Sequence, residues 1–126
     1  MKIPKISDSE WQVMKIVWAN KYCTANDIVQ KISEAADWKP NTTTTLINRL
    51  LKKGIIDYEV DENDNKTYNY FAIVPESQCV KAESESFLRR VFNGSLNLML
   101  ENFINESKLS EDEIDKLKQI LDKKKG

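Results

Sequence analysis

Apolar positions repeat with a helical period up to Gly54, with a strand period from Ile56 to Ile73, and with a helical period again after Pro75. Ser7-Asp8-Ser9-Glu10 is a capping box, with Ser at the N-cap and Glu three residues on. The helix it opens carries Trp11, Val13, Met14, Val17 and Trp18 and is expected to end near Asn20-Lys21. Thr24-Ala25-Asn26-Asp27 is a second N-cap signal. Ala25, Ile28, Val29 and Ile32 then predict a short amphipathic helix to about Ala36, and Asp37-Trp38-Lys39 a turn.

The third helix, from Pro40 to Gly54, has two incompatible faces. At about 100° per residue, Thr43, Leu46, Ile47 and Leu50 fall on one side. Asn41, Thr44, Thr45, Asn48 and Lys52 fall on the other, with Thr42 and Arg49 on one flank. Thr and Asn are poor helix formers where Glu, Lys or Ala would stabilise a surface helix. Their short side chains let a helix approach a polar surface closely, and their hydroxyls and amides can bond base edges and phosphates. Pro40 suits the first helical turn and Gly54 the C-terminal stop.

Ile56, Tyr58 and Val60 alternate with polar residues, and residues 67–73 are rich in aromatic and β-branched side chains. Between them Asp61-Glu62-Asn63-Asp64-Asn65-Lys66 is a polar turn, so a β-hairpin is predicted. Tyr58, Tyr68 and Tyr70 fit cross-strand pairing. Asp61, Asn63 and Asn65 have calcium-loop spacing, but Lys66 stands where that loop needs Gly and Ala72 where it needs Glu, so an EF-hand is rejected. The order helix, helix, helix, hairpin is that of a winged helix-turn-helix, in which the third helix enters the major groove and the wing touches the backbone. Lys39, Arg49, Lys52, Lys53 and Lys66 surround that helix and the wing tip and could together supply phosphate contacts.

Val74-Pro75 marks the expected boundary between a DNA-binding domain, residues 1–74, and a helical region, residues 75–126. Residues 78–93 carry Val80, Phe87, Leu88, Val91 and Phe92, and Gly94 breaks that helix. Residues 95–104 carry Leu96, Leu98, Met99, Leu100, Phe103 and Ile104. Ser110-Glu111-Asp112-Glu113 is another capping box, opening a helix with Ile114, Leu117, Ile120 and Leu121. This tail is too short and too apolar for a solitary domain. Its faces are expected to pack against a copy of the chain, with Phe87, Leu88, Val91, Phe92, Leu96, Met99, Leu100, Phe103, Ile104, Ile114, Leu117 and Leu121 at the interface. The alternative is that it folds back on the N-terminal unit.

Composition narrows the chemistry. With 126 residues, 40% hydrophobic and 31% charged, a packed fold is expected. No apolar run approaches a membrane span, and no apolar segment follows Met1-Lys2-Ile3-Pro4-Lys5, so no export signal is expected. Cys23 and Cys79 lack metal or redox spacing and read as thiols of a reducing cytoplasm. Histidine is absent, which removes Ser-His and Cys-His activation and the commonest zinc ligand. Neither a catalytic centre, a metal nor a cofactor is expected. The net charge is −1, so nucleic-acid binding must rest on local placement and on multiplying sites.

The chain resembles the penicillinase-repressor family of bacterial winged-helix regulators, the BlaI/MecI type. The resemblance is carried by residues 6–14 (Ile-Ser-Asp-Ser-Glu-Trp-Gln-Val-Met), Trp18, Thr42, Thr45, Leu46, Arg49, Leu50 and Lys53-Gly54. In the tail it is carried by Ser86-Phe87-Leu88, Phe92-Asn93-Gly94-Ser95-Leu96 and Asn102-Phe103-Ile104. It implies a homodimer with interlocking C-terminal helices that binds dyad-symmetric operators and represses resistance genes. It also implies inactivation by proteolysis at an Asn-Phe bond, here Asn102-Phe103, triggered by a membrane sensor protease. Departures fall at Asn41 and Thr44, where relatives often carry a long basic or amide residue, and at Glu101. The cysteine cluster of the family's copper-responsive branch is missing.

The expected molecule is thus mostly α with a small β-hairpin wing: an N-terminal winged helix-turn-helix followed by a C-terminal helical dimerisation region. Asn41, Thr44, Thr45 and Asn48 are the expected base or near-base contacts, and Lys39, Thr42, Arg49, Lys52 and Lys66 the phosphate contacts. Two other readings use the same fold: a repressor released by a small molecule, and a winged-helix adaptor that binds protein.

Overall fold

The computed structural model describes residues 2–106 and 108–126. Its elements run α1 (Asp8–Ala19), α2 (Ala25–Ala35), α3 (Pro40–Lys53), β1 (Ile56–Val60), β2 (Tyr68–Ala72), α4 (Glu76–Phe92), α5 (Leu96–Glu106) and α6 (Glu111–Lys125). The chain is mostly helical, with one antiparallel hairpin.

The helix starts are built as the sequence dictates. Capping boxes close at Ser7/Glu10, Thr24/Asp27 and Ser110/Glu113, each satisfying two backbone donors at a helix N-terminus. Pro40 opens α3, and Gly54, at φ 75°, closes it in the left-handed region that a side chain would strain.

The chain divides into two compact units, one ending at Glu83 and the other beginning at Ser84. In the first, Val13, Met14 and Val17 of α1, Ile28 and Ile32 of α2, and Leu46, Ile47 and Leu50 of α3 share one core. Ile55 and Ile56 are both buried, so the chain leaves α3 through the core before the strand alternation begins. The register pairs Ile56 with Ala72, Tyr58 with Tyr70 and Val60 with Tyr68. Cys23 exchanges backbone hydrogen bonds with Tyr70, at 3.1 and 2.8 Å, and so adds a bridge beside β2 that hydrophobic periodicity does not announce. Burial pushes the Cys23 thiol up to about 11, and the Asp27 charge adds to this, which leaves the sulfur unreactive.

Trp11, Trp18 and Trp38 lie at the rim of this core. The rings of Trp11 and Trp18 are 5.5 Å apart, and Trp18 Nε1 donates to the Val74 carbonyl at 3.0 Å. Val74 and Cys79 are themselves buried in the core. The first turns of α4 therefore belong to the first unit, and the units part later in the chain than Val74-Pro75. In the second unit Phe87, Phe92 and Phe103 form a ring cluster with centroids 5.8 to 6.4 Å apart.

One polar contact reaches into the first core. Glu10 is buried, and Lys53 Nζ donates to its Oε1 at 2.6 Å and to the Lys5 carbonyl at 2.7 Å. Glu10 Oε2 has no hydrogen-bond partner among the described residues, so this carboxylate depends on Lys53 and on the Ser7 N–H. Burial alone would push the Glu10 carboxyl up. Bonds from Lys53 and Ser7 outweigh it and hold the group below its ordinary value of 4.5. The pair ties the last turn of α3 to the cap of α1.

Lys53→Met should lower unfolding free energy by about 2 kcal/mol, less than the roughly 3–5 kcal/mol of fully buried pairs because Lys53 keeps contact with water. A group held below its ordinary value stabilises the fold above that value and ceases to do so as pH falls through its folded value. The stability gap between wild type and variant, measured by urea unfolding, should therefore be widest at pH values above the ordinary 4.5 of this carboxyl and narrow as pH falls below it. A gap independent of pH would assign the loss to packing instead.

Candidate nucleic-acid interface

The two-faced character of α3 is realised in full. Thr43, Leu46, Ile47 and Leu50 are buried, while Asn41, Thr42, Thr44, Thr45, Asn48, Arg49 and Lys52 are exposed, as is Lys39 at the N-cap. Asn41, Thr45, Asn48 and Lys52 follow the i, i+4, i+7, i+11 positions of one ridge, and Thr44 lies beside them. Asn41 to Asn48 spans roughly 10 Å of helix axis at 1.5 Å per residue. That matches about three base pairs at 3.4 Å each. α3 packs on both α1 and α2 through its opposite face, which leaves this polar ridge uncovered within the first unit.

The hydroxyls are oriented in a way that residue types alone do not disclose. Thr44 Oγ1 donates to the Pro40 carbonyl at 3.1 Å, and Thr45 Oγ1 donates to the Asn41 carbonyl at 2.9 Å. Both protons are engaged with the helix's own backbone one turn back. Among the described residues Thr42 makes no such bond, so its hydroxyl is available as a donor.

The cations separate into two kinds. Lys39, Arg49, Lys52 and Lys66 are exposed. Lys53, which the sequence grouped with them, is engaged by Glu10 and the Lys5 carbonyl and serves the fold instead. A pair 43 residues apart leaves no local sequence signal. At the wing tip Asp61 Oδ1 accepts from the Asn63 N–H, and Asp64 Oδ1 accepts from the N–H groups of Lys66 and Thr67. The Thr67 hydroxyl above all, and then these backbone donors, hold the Asp64 carboxyl down to about 2. Asp61 and Asp64 thus shape the turn, and Asp64 keeps its negative charge beside Lys66. Among the described residues no group of acids and thiols could hold a metal ion, and no helix is long and apolar enough to cross a membrane.

The second unit carries a different surface. Among its described residues no apolar side chain is fully buried. Phe87, Leu88, Phe92, Met99 and Leu100 are half-buried, whereas Val91, Leu96, Phe103, Ile104, Ile114, Leu117 and Leu121 are exposed. Leu98 and Ile120, outside the expected interface set, are exposed as well. Leu121 keeps 62% of its surface and Phe103 45%. Asn102 and Phe103 both lie within α5.

The sequence pattern of the family described as penicillinase repressor matches residues 6–123. The chain is 43% identical to the methicillin resistance regulatory protein MecI of Staphylococcus aureus (strain N315) over 123 residues, covering 98% of each chain. It is 37% identical to the penicillinase repressor of Bacillus licheniformis over 125 residues, covering 99% of this chain and 95% of the other. Its fold is similar to that of monomeric Bacillus licheniformis BlaI in complex with the blaP half-operator. The TM-score is 0.53 at 33% identity, over 60% of this chain and 89% of that one.

Proposed function

The chain belongs to the penicillinase-repressor family, and from that premise we propose that it is a homodimeric, cytoplasmic repressor of β-lactam-resistance or related genes. The observation that carries this is the exposed Asn/Thr ridge of α3, an unfavourable composition for a solvated helix and a suitable one for a major groove. A protein-binding face would more often present apolar anchors. The similarity to a BlaI bound to a half-operator supports the same use of the first unit. Asn41, Thr44, Thr45 and Asn48 face the bases, and Lys39, Thr42, Arg49, Lys52 and Lys66 the phosphates. Two α3 helices enter successive major grooves, with half-sites about one helical turn apart.

Dimerisation follows from charge and from the second unit. A module with ten basic and ten acidic residues over positions 1–74 gains little from long-range attraction, so tethering two of them raises affinity by effective concentration. The exposed apolar side chains of α4, α5 and α6 are the material for that pairing. Phe103 stacks on Phe87 and meets Phe92 edge-on, so cutting at Asn102-Phe103 would sever α5 and release α6. The operator is then lost because the dimer is lost. Proteases act on extended backbone, so α5 must open locally before the cut, and a membrane sensor protease, direct or indirect, supplies the trigger.

Fluorescence anisotropy at several salt concentrations tests the reading, with the inverted repeat upstream of the protein's own gene as probe and a scrambled duplex as control. Tight, salt-sensitive binding to the repeat alone is expected, and equal weak binding to both duplexes would contradict it. Arg49→Ala should weaken binding about tenfold in a correctly folded dimer. A chain ending at Asn102 should sediment as a monomer and bind at least about a hundredfold more weakly. Dimeric, tight-binding behaviour of that truncated chain would remove the cleavage mechanism.

A further inference from the structure

We propose that Thr44 and Thr45 read the operator through their methyl groups, with their oxygens limited to accepting, so that the middle of each half-site is selected for thymine. This rests on the operator-binding reading above and names what two of its residues recognise. Threonine is often counted among residues that bond any base edge. Here that latitude is gone. Each hydroxyl proton is given to the carbonyl four residues back, Thr44 to Pro40 and Thr45 to Asn41. Neither can donate to the N7 or O6 acceptors of guanine without breaking that bond. Inside a helix threonine has two accessible side-chain rotamers. With Oγ1 turned back on the preceding turn, the methyl is the branch left to project outward from these two exposed positions.

The surroundings fit the same base. Asn41 and Asn48 bracket the two threonines on the ridge, and the amide of Asn is matched to the N6 and N7 groups of adenine. An A·T pair displays both a methyl and the adenine edge in the major groove. The four central side chains of the ridge are therefore complementary to A·T pairs, while the exposed cations Lys39, Arg49 and Lys52 lie at its ends and flank.

The full-length protein would first select its preferred duplex from a library with a randomised half-site. Each thymine of that duplex would then be replaced by uracil, which lacks only the 5-methyl group. Wild type should lose about fourfold in affinity per half-site at one or two central thymines, the value of one buried methyl group. Thr44→Ser or Thr45→Ser should bind the thymine duplex as weakly as wild type binds the uracil duplex, and should no longer distinguish the two. Thr44→Val and Thr45→Val, which keep the methyl and lose the hydroxyl, should retain the distinction. Melting followed by circular dichroism would confirm that all four variants fold. Tight selection of a duplex with no penalty from any uracil would overturn the methyl assignment and leave the operator reading intact. So would Val variants that lose the discrimination while Ser variants keep it. Failure to select any duplex over a random one would instead remove the operator reading, and this assignment with it.

Discussion

Four side chains on one stripe of α3, Thr43, Leu46, Ile47 and Leu50, disappear into the core shared by α1 and α2, and the orientation of everything on the opposite side of that helix depends on their burial. With 3.6 residues per turn, committing those positions inward leaves no freedom for Asn41, Thr44, Thr45 and Asn48 except to face outward. Burying three aliphatic side chains is worth several kcal/mol, at about 1.5–3 kcal/mol each. That outweighs the poor helix propensity of the Thr and Asn residues, which is at most about 0.7 kcal/mol apiece. The helix is held by its apolar side and is thereby free to carry an unfavourable composition on its polar side.

A second restraint acts at the end of that helix. Lys53 would be one more surface cation were Glu10 not buried beside it, and the carbonyl of Lys5 completes the contact. Glu10 also closes the capping box of α1. One carboxylate thus serves a local hydrogen bond to Ser7 and a long-range ion pair to Lys53. The start of α1 and the finish of α3 cannot shift independently without leaving a buried charge uncompensated. A helix fixed at both its apolar stripe and its C-terminal turn presents its polar ridge in one orientation, which the base contacts proposed above require.

The second unit obeys the opposite logic. Its helices start well, with a complete capping box at Ser110 and basic residues in the last turn of α6. Its aromatic residues cluster around Phe103, but its apolar positions remain half-buried or exposed. Among its described residues no side chain is fully buried, so the unit has local helix signals without a closed core of its own.

Local pattern carried most of the architecture. The capping residues, Pro40 and Gly54, the inward stripe of α3, the hairpin and the helical tail were all legible because each depends on neighbours within a few residues. The family resemblance, resting on motifs in both halves, was legible too. Three features required the tertiary structure. Lys53 belongs to the fold rather than to the basic periphery because its partner comes from 43 residues earlier. The first unit extends beyond Val74-Pro75 because Cys79, on α4, enters its core. The hydroxyls of Thr44 and Thr45 point back at their own helix, and only side-chain conformation settles which half of a threonine faces outward. Sequence by itself fixed which residues line the ridge, since periodicity is a property of the chain. What each of them offers to a partner was decided by packing and hydrogen bonding, which depend on contacts that no linear pattern encodes.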